Sequence, residues 1–567
     1  MSVQVLERAG YSGAIQVRSF KKNKYLQTAS ILQSARLEYA RFFRIAFVLQ
    51  FAGRFPMLDL DYTGHPLFDV GLAAIVAYAE KEYPTELDED DLGKVAAFIE
   101  DHYTQQPLTS FLTTSLMNSD FTQPAFEKKP DRRRAYAQRV ARSFGEGIPQ
   151  SDEICVFTGK PALGLSLSLK RDKDGREELP PGRAFRQHIP LITGEEIINF
   201  SPWGDHGLPV SGEALLCLQF FPMGCRKCAG RLLAVHSDNP DILLLAARNA
   251  LQENREAITL ARAKGETKLP DASSSAPSLL IETIVSFTQR QERAQRKRQP
   301  FSITAYHLTN SGQSSPLDEK SPPLKMYHLP MNLIRFLQAA NHPDHKETWS
   351  RLVKRGQERS RPAKNSPVTI TNEVTTTRRQ RNFFYEDLFR LPEQARTFLR
   401  RYFWLIPDLR QIDARSLKQH EEDGPAQLLI PWAFIALFLQ EVLLMEKERI
   451  EQIKQLGEGL AAYVKECNDQ RFLNEFYSLQ RSDFFRNALL RAARQAAAQH
   501  KPPLFRYDVF CSVFFTPDGE ELRFDWKLAR DLLFLRMLEW LYDHDERIDE
   551  RVAALPEERD SDIPDLA

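Results

Sequence analysis

Apolar positions alternate or run together in parts of the first two thirds of the chain and settle into a three-to-four spacing beyond Leu391, which divides the sequence into a mixed region and a helical one. Pro66 followed by Leu67, Val70, Ala74, Ile75 and Tyr78 predicts an amphipathic helix, because proline costs nothing in a first turn and the apolar spacing is helical. Segments 163–169 and 301–308 are rich in alternating or β-branched residues and predict strands. Three helical stripes follow: Ile450, Ile453, Leu456, Leu460 and Val464; then Phe484, Phe485, Ala488, Leu489 and Ala492; then Leu528, Leu532, Leu535 and Leu538. Pro517-Asp518-Gly519 is a turn signal, predicting a hairpin between 513–515 and 522–524. Polar or Ser/Pro-rich breaks lie at 265–278, 356–377 and 416–427, and no internal repeat is visible. The expectation is an α+β, multidomain protein. Residues 1–390 form the mixed N-terminal region and 391–567 a C-terminal α-helical bundle.

Length agrees, since 567 residues exceed what one core supports and two to four domains are expected. The longest apolar run, 428–439, is 12 residues broken by Pro431, short of the roughly 20 that span a bilayer, and no membrane role is expected. Six cysteines in so long a chain, without a secretory leader pattern, point to a reducing, cytoplasmic setting. Charge balances at 76 Lys plus Arg against 76 Asp plus Glu, which by itself argues against a nucleic-acid protein. The distribution argues the other way. Residues 289–381 hold 18 bases against 7 acids, a local +11, whereas the last 25 residues hold 10 acids against 3 bases, a local −7.

The bases gather in clusters. Lys128, Lys129, Arg132, Arg133 and Arg134 form one, with Arg139 and Arg142 beyond; Arg290, Arg293, Arg296, Lys297 and Arg298 form a second; Arg351, Lys354, Arg355, Arg359, Arg361 and Lys364 form a third, followed by Arg378, Arg379 and Arg381. Such groups suit phosphates, whose neutralisation releases counterions, although a solvated helix face is the commoner fate of a charge run. The segment 116–124 differs in kind: Asn118, Ser119, Phe121 and Gln123 combine amides, which can meet base edges, with an aromatic that can wedge a base step, or else they form an ordinary Asx-type loop. Arg486 and Arg494, two turns apart on a predicted helix, either line the path of a single strand or are simply exposed.

Catalytic signatures are lacking: the sequence holds no phosphate-binding glycine loop of the G-x-x-x-x-G-K-[ST] type, no H-E-x-x-H and no G-x-S-x-G. Every H-x-E in the sequence, His420-Glu421-Glu422 in a polar break among them, follows the Cys225–Cys228 pair, the wrong order for a deaminase. Cys225-Arg226-Lys227-Cys228 has the spacing of half a tetrahedral zinc site, a weak signal alone. Cys217, Cys467 and Cys511 read as core thiols, and His65 as a residue at a helix N-terminus rather than a base.

Four strings, 431–463, Thr63 to Gly71, Tyr306 to Gly312 with Met326 to Pro330, and Leu391 to Phe403, together resemble the large subunit of a type I CRISPR surveillance complex (Cascade), in the I-B-like branch whose members often carry two CxxC pairs. That resemblance implies a non-enzymatic subunit that reads a protospacer-adjacent motif, helps open the duplex and stabilises the R-loop in antiviral defence. Its partners would be CRISPR RNA, target double-stranded DNA with its displaced strand, and the backbone, 5′-handle-binding and small subunits of Cascade. It makes 116–124 the motif-reading loop. It also calls for a second CxxC where this chain has Cys155-Val156-Phe157-Thr158, so that 151–240 reads as a degenerate zinc ribbon in which Cys155, Cys225 and Cys228 need a fourth ligand, His188 or His236. Residues 445–567, 123 in number, resemble the Cascade small subunit, and Met445 is either an internal translation start or a core methionine. The rival readings are a metal-dependent nucleic-acid enzyme and a nucleic-acid-binding scaffold unrelated to CRISPR.

Overall fold

The computed structural model describes residues 58–170, 173–174, 179–191, 206–272, 274–294, 300–310, 321–356, 382–403, 430–479, 481–501, 503–516 and 521–544. The described residues from Leu60 onward belong to one compact unit. It is α+β, with helices throughout and small antiparallel sheets that, among the described residues, all lie before residue 330.

Helix α1 (Pro66–Tyr78) starts where the sequence places it, with Pro66 in the first turn and His65 as N-cap. It is not amphipathic. Every residue from Phe68 to Ala77 is buried, because α1 is wrapped by several later elements. Glu89–His102 (α2) and Pro130–Ala141 (α3) follow, then the hairpin β1 (Gln150–Ile154) with β2 (Pro161–Leu163) and the short pair β3 (Arg183–Ala184) with β4 (Leu208–Pro209). Helix α4 (Gly212–Phe220) crosses α1 so closely that a Cβ on Gly71 would meet the Cys217 carbonyl oxygen at 2.0 Å. Only a glycine fits at that crossing.

Strands β5 (Arg226–Cys228) and β6 (Arg231–Ser237) are joined by Ala229-Gly230, both at positive φ, the two-residue turn that suits a twisted hairpin. Helices α5 (Pro240–Lys264) and α6 (Ala276–Arg293) follow; of the expected 265–278 break, 265–275 separates them and 276–278 is already the first turn of α6. Strands β7 (Ile303–Leu308) and β8 (Leu324–Leu329) complete a sheet in the order β5-β6-β7-β8, with Leu232 opposite Leu308 and Ile303 opposite Leu329. Of the two strands expected from sequence, 301–308 holds as β7, whereas 163–169 retains only the end of β2 and an isolated bridge at Ser166.

The remaining elements are helices: α7 (Met331–Ala340), α8 (Lys346–Gly356), α9 (Phe383–Leu388), α10 (Ala395–Tyr402), α11 (Trp432–Glu441), α12 (Lys447–Cys467), α13 (Gln470–Ser478), α14 (Ser482–Ala498), α15 (Tyr507–Phe514) and α16 (Trp526–Asp543). The α12 stripe is buried as the spacing predicts; on α14 the exception is Phe484, which is exposed. Residues 513–514 belong to α15, so the expected hairpin shrinks to one bridge, Phe515 to Leu522, with the turn 517–519 outside the described residues. Packing runs without a break through residue 390. Phe336 lies 5.5 Å from Phe438, Phe384 lies 5.5 Å from Phe398, and Asn332 Nδ2 donates to the Val442 carbonyl at 3.1 Å; beyond that point Arg396 on α10 reaches Asp531 on α16 at 3.0 Å. Asp531 also holds the fully buried Arg530, so this charge network is satisfied internally. Met445 is buried in the same core. Among the described residues no helix is long and apolar enough to cross a membrane.

Candidate nucleic-acid interface

Segment 116–123 is a chain of tight turns closed by its own polar groups. Ser119 N donates to the Leu116 carbonyl at 3.2 Å, Gln123 N to the Ser119 carbonyl at 3.0 Å and Thr122 Oγ1 to the Leu116 carbonyl at 3.1 Å. Asn118 stands at φ 69°, a left-handed conformation that asparagine tolerates better than most residues. The four sequence candidates therefore separate. Phe121 is wholly buried, edge-on to Tyr103 (5.6 Å) and Tyr136 (5.0 Å), and Ser119 is buried beside Thr122. A ring held between two tyrosines does not project as a wedge; these two residues set the shape of the loop. Asn118 is exposed and Gln123 half-buried, with Gln123 Nε2 donating to the Asn118 carbonyl at 3.2 Å.

The first basic cluster divides in the same way. Lys128, Lys129 and Arg134 are exposed around the start of α3. Arg133 is buried and directs Nη1 at the Thr104 carbonyl (3.5 Å). Arg132 pairs through Nε with Asp120 at 2.9 Å and lies 4.0 Å over the Phe126 ring. Arg139 Nη1 donates to the Ser166 carbonyl at 2.8 Å, and Arg142 pairs with Glu100. These last four fasten α3 to its surroundings, and the outward charge rests on the other three.

Beside the loop lies a cavity of about 340 Å³, lined by Asn118, Gln123, Tyr136, Lys170, Arg186 and Gln187 among others. Its walls are tied together. Asn310, just past β7, donates from Nδ2 to the Ser115 carbonyl (3.0 Å) and to the Arg186 carbonyl (3.2 Å), bridging two of them. His188 accepts from Phe185 N on Nδ1 at 3.1 Å and uses its other nitrogen on the Leu167 carbonyl; burial pushes its pKa down to about 4, so the imidazole is neutral. Spacing and charge runs do not single out Tyr136, Lys170, Arg186 or Gln187. Asn310 does lie inside one of the strings that carry the resemblance, although no local signal marks it as a clamp.

The other basic clusters contribute less to a shared surface. Arg290 and Arg293 are exposed at the end of α6, and Lys354 on α8. Arg355 is enclosed, donates to the Tyr402 carbonyl at 2.6 Å, and has its pKa pushed down to about 10 by burial and by Arg351. Arg486 and Arg494 are exposed on α14. Arg296, Lys297, Arg298, Arg359, Arg361, Lys364, Arg378, Arg379 and Arg381 lie outside the described residues, as does His420.

The zinc expectation is corrected. Cys225 and Cys228 do not form a knuckle: Cys225 is extended, 226–228 is strand β5, and residues three apart on a strand face opposite sides. Cys225 Sγ donates to the Phe221 carbonyl at 3.2 Å, and Cys228 Sγ to the Ser274 carbonyl at 3.5 Å. Both nitrogens of His188 are engaged, and His236 Nε2 is bonded to Asp69 at 2.9 Å. Among the described residues no group of three or more His, Cys, Asp or Glu is placed to hold a metal ion. Cys155 is buried and lies near Cys217. No family model, no curated protein and no solved structure matches this chain.

Proposed function

We propose that this chain is the non-enzymatic large subunit of a CRISPR RNA-guided, Cascade-like surveillance complex, acting in the cytoplasm, and that the region around α3 contacts the duplex flanking the target. The guide RNA would supply sequence specificity by pairing, while the protein reads a short motif and the backbone. The observation that carries the reading is the placement of Asn118 and Gln123, two amides suited to base edges, beside the exposed cations Lys128, Lys129 and Arg134. Cations that grip phosphates position a protein without selecting sequence, and neighbouring amides add the selection. Duplex opening against guide pairing nearly balances in energy, so a few contacts tip it without hydrolysis. The C-terminal helices α12–α16 would serve as the small-subunit-like part, with Arg486 and Arg494 toward the displaced strand.

The test is reconstitution with guide RNA and whatever companion subunits co-purify with the chain. Asn118→Ala with Gln123→Ala should weaken binding to motif-bearing duplex by roughly ten- to a hundredfold, the discrimination of one or two base-edge contacts. Binding of the reconstituted complex to a single-stranded target pre-matched to the guide, which is held by pairing and lacks the flanking duplex, should change little. Equal losses on both would remove these residues from motif reading, and failure to join any guide-bearing assembly would leave a general nucleic-acid-binding scaffold.

A further inference from the structure

We infer that the cavity between the 118–123 loop, α3 and the 167–170 and 186–188 segments is a pocket for one unstacked nucleotide, its base enclosed and its phosphate toward Lys170 and Arg186. The inference rests on the nucleic-acid reading above and names the ligand class of the same surface. At about 340 Å³ the space is at the small end of ligand sites, which run from about 300 to 1,000 Å³, and suits a group of nucleotide size. The lining is polar: Asn118, Gln123 and Gln187 bring three carboxamides, each offering a donor and an acceptor, the arrangement a base edge needs. Two cations, Lys170 and Arg186, face one carboxylate, Asp120, which Arg132 already engages, so the balance of charge around the cavity is positive and favours an anion.

One further observation points to a missing partner. Tyr136 is 3% exposed, lines the cavity, and its hydroxyl is buried with no hydrogen-bond partner. Leaving a buried hydroxyl unpaired is destabilising, and such a group in a polar cavity is accounted for when a ligand supplies its bond. Its ring is braced by Phe121 at 5.0 Å and lies 6.3 Å from His188, and Arg139 and Asn310 tie the surrounding segments together, so the pocket is formed before anything enters it. Because the loop adjoins Lys128, Lys129 and Arg134, a strand lying along α3 could turn a single nucleotide into this space, as proteins that extrude a base do.

The experiment uses the full chain with short single-stranded oligonucleotides carrying one 2-aminopurine, in DNA and RNA forms, against the same strands in which every base is removed. Intact strands are expected to bind roughly tenfold or more tightly than abasic ones, with a change in 2-aminopurine fluorescence, and the DNA and RNA arms tell which strand is the source. Tyr136→Phe should weaken intact strands by roughly five- to tenfold, the size of one hydrogen bond, leave abasic strands unaffected, and raise the melting temperature of the free protein by removing an unpaired buried hydroxyl. Asn118→Gly, which keeps the left-handed backbone, should weaken the same step without lowering that temperature. Salt-dependent binding that is indifferent to the bases and to both variants would overturn the pocket while leaving the phosphate-gripping surface in place. Absence of binding to any strand would overturn both.

Discussion

Asp69 is the residue whose removal the structure makes most calculable. Its carboxylate accepts from Thr63 N (2.8 Å), Thr63 Oγ1 (3.2 Å) and Gly64 N (2.8 Å), and His236 Nε2 lies 2.9 Å from it. It therefore folds the approach to α1 onto the first helical turn and pins that helix to β6, while itself being 1% exposed. In Asp69→Ala all four bonds go. Thr63 and Gly64 are exposed and their amides can rehydrate, so the loss there is that of a helix cap, about 1–2 kcal/mol. The half-buried His236 loses its partner, and a small void opens against α1; together these add about 1–2 kcal/mol. The total is roughly 2–4 kcal/mol, equivalent to about a thirtyfold to a thousandfold change in the opening equilibrium.

Asp69→Asn offers one acceptor oxygen in place of two and should cost about half as much, and Thr63→Ala, which loses the hydroxyl's bond to Asp69 and the one it accepts from His65 N, under about 1 kcal/mol. Global denaturation of a 567-residue chain is a poor readout, because it need not be two-state. Hydrogen exchange resolved to peptides covering 66–78 is the appropriate assay, with peptides from α12 as the internal control. Protection of 66–78 should fall in the order Asp69→Ala, Asp69→Asn, Thr63→Ala. Wild-type protection in Asp69→Ala would refute the reasoning.

Replacing Lys128, Lys129 and Arg134 together with Ala should flatten the log–log salt dependence of DNA binding by up to about three, near 0.9 for each phosphate that is no longer neutralised. Arg133→Ala should lower thermal stability and leave that slope alone, and a slope change from Arg133 would reverse the assignment. His188 is held neutral in the folded chain, with a pKa pushed below its usual value to about 4, so the unfolded state binds the extra proton. Its contribution to stability is complete above pH 6.5 and is lost as pH falls from there toward 4; His188→Asn should flatten the fall of melting temperature over that window, and an unchanged profile would exclude this residue as its source. Treatment with a strong zinc chelator should leave the melting temperature unchanged, whereas a drop of several degrees would reinstate a metal role for Cys225 and Cys228.

The sequence made most of the fold legible where one principle acted alone. The Ile450 to Val464 stripe and strand β7 follow directly from period, as does the start of α1 from Pro66. It misled where packing came from distant elements. Helix α1 carries Asp69 and Gly71 on faces that α4, α5 and β6 cover, and no local pattern discloses burial on every side. CxxC spacing is shared by zinc knuckles and by a strand entering a two-residue turn, and Gly230 gives the weaker signal. At the site, composition marked the region but not the division of labour: Arg132 and Arg133 differ from Arg134 only in the phase of a helix turn, yet they face Asp120, the Thr104 carbonyl and solvent respectively. The cavity was invisible because its walls come from segments as far apart as 118 and 188, with the clamp at 310.

The strings that carry the family resemblance have a common structural character. Thr63 to Gly71 is the capped, closely crossed start of α1; Tyr306 to Asn310 ends in the clamp between cavity walls; Leu391 to Phe403 supplies Phe398 and Arg396 to the joint with α11 and α16; and 431–463 forms α11 and most of α12. These are joints, where a change of side chain would disturb packing over several elements. The residues assigned to nucleic acid, Asn118, Gln123, Lys128, Lys129, Arg134 and the cavity lining, lie outside all four strings. Architecture and binding thus rest on disjoint sets of residues. Loss of motif binding on substitution at 118 and 123, with the hydrogen-exchange protection of α1 intact, would therefore support the function on grounds that the resemblance does not already contain.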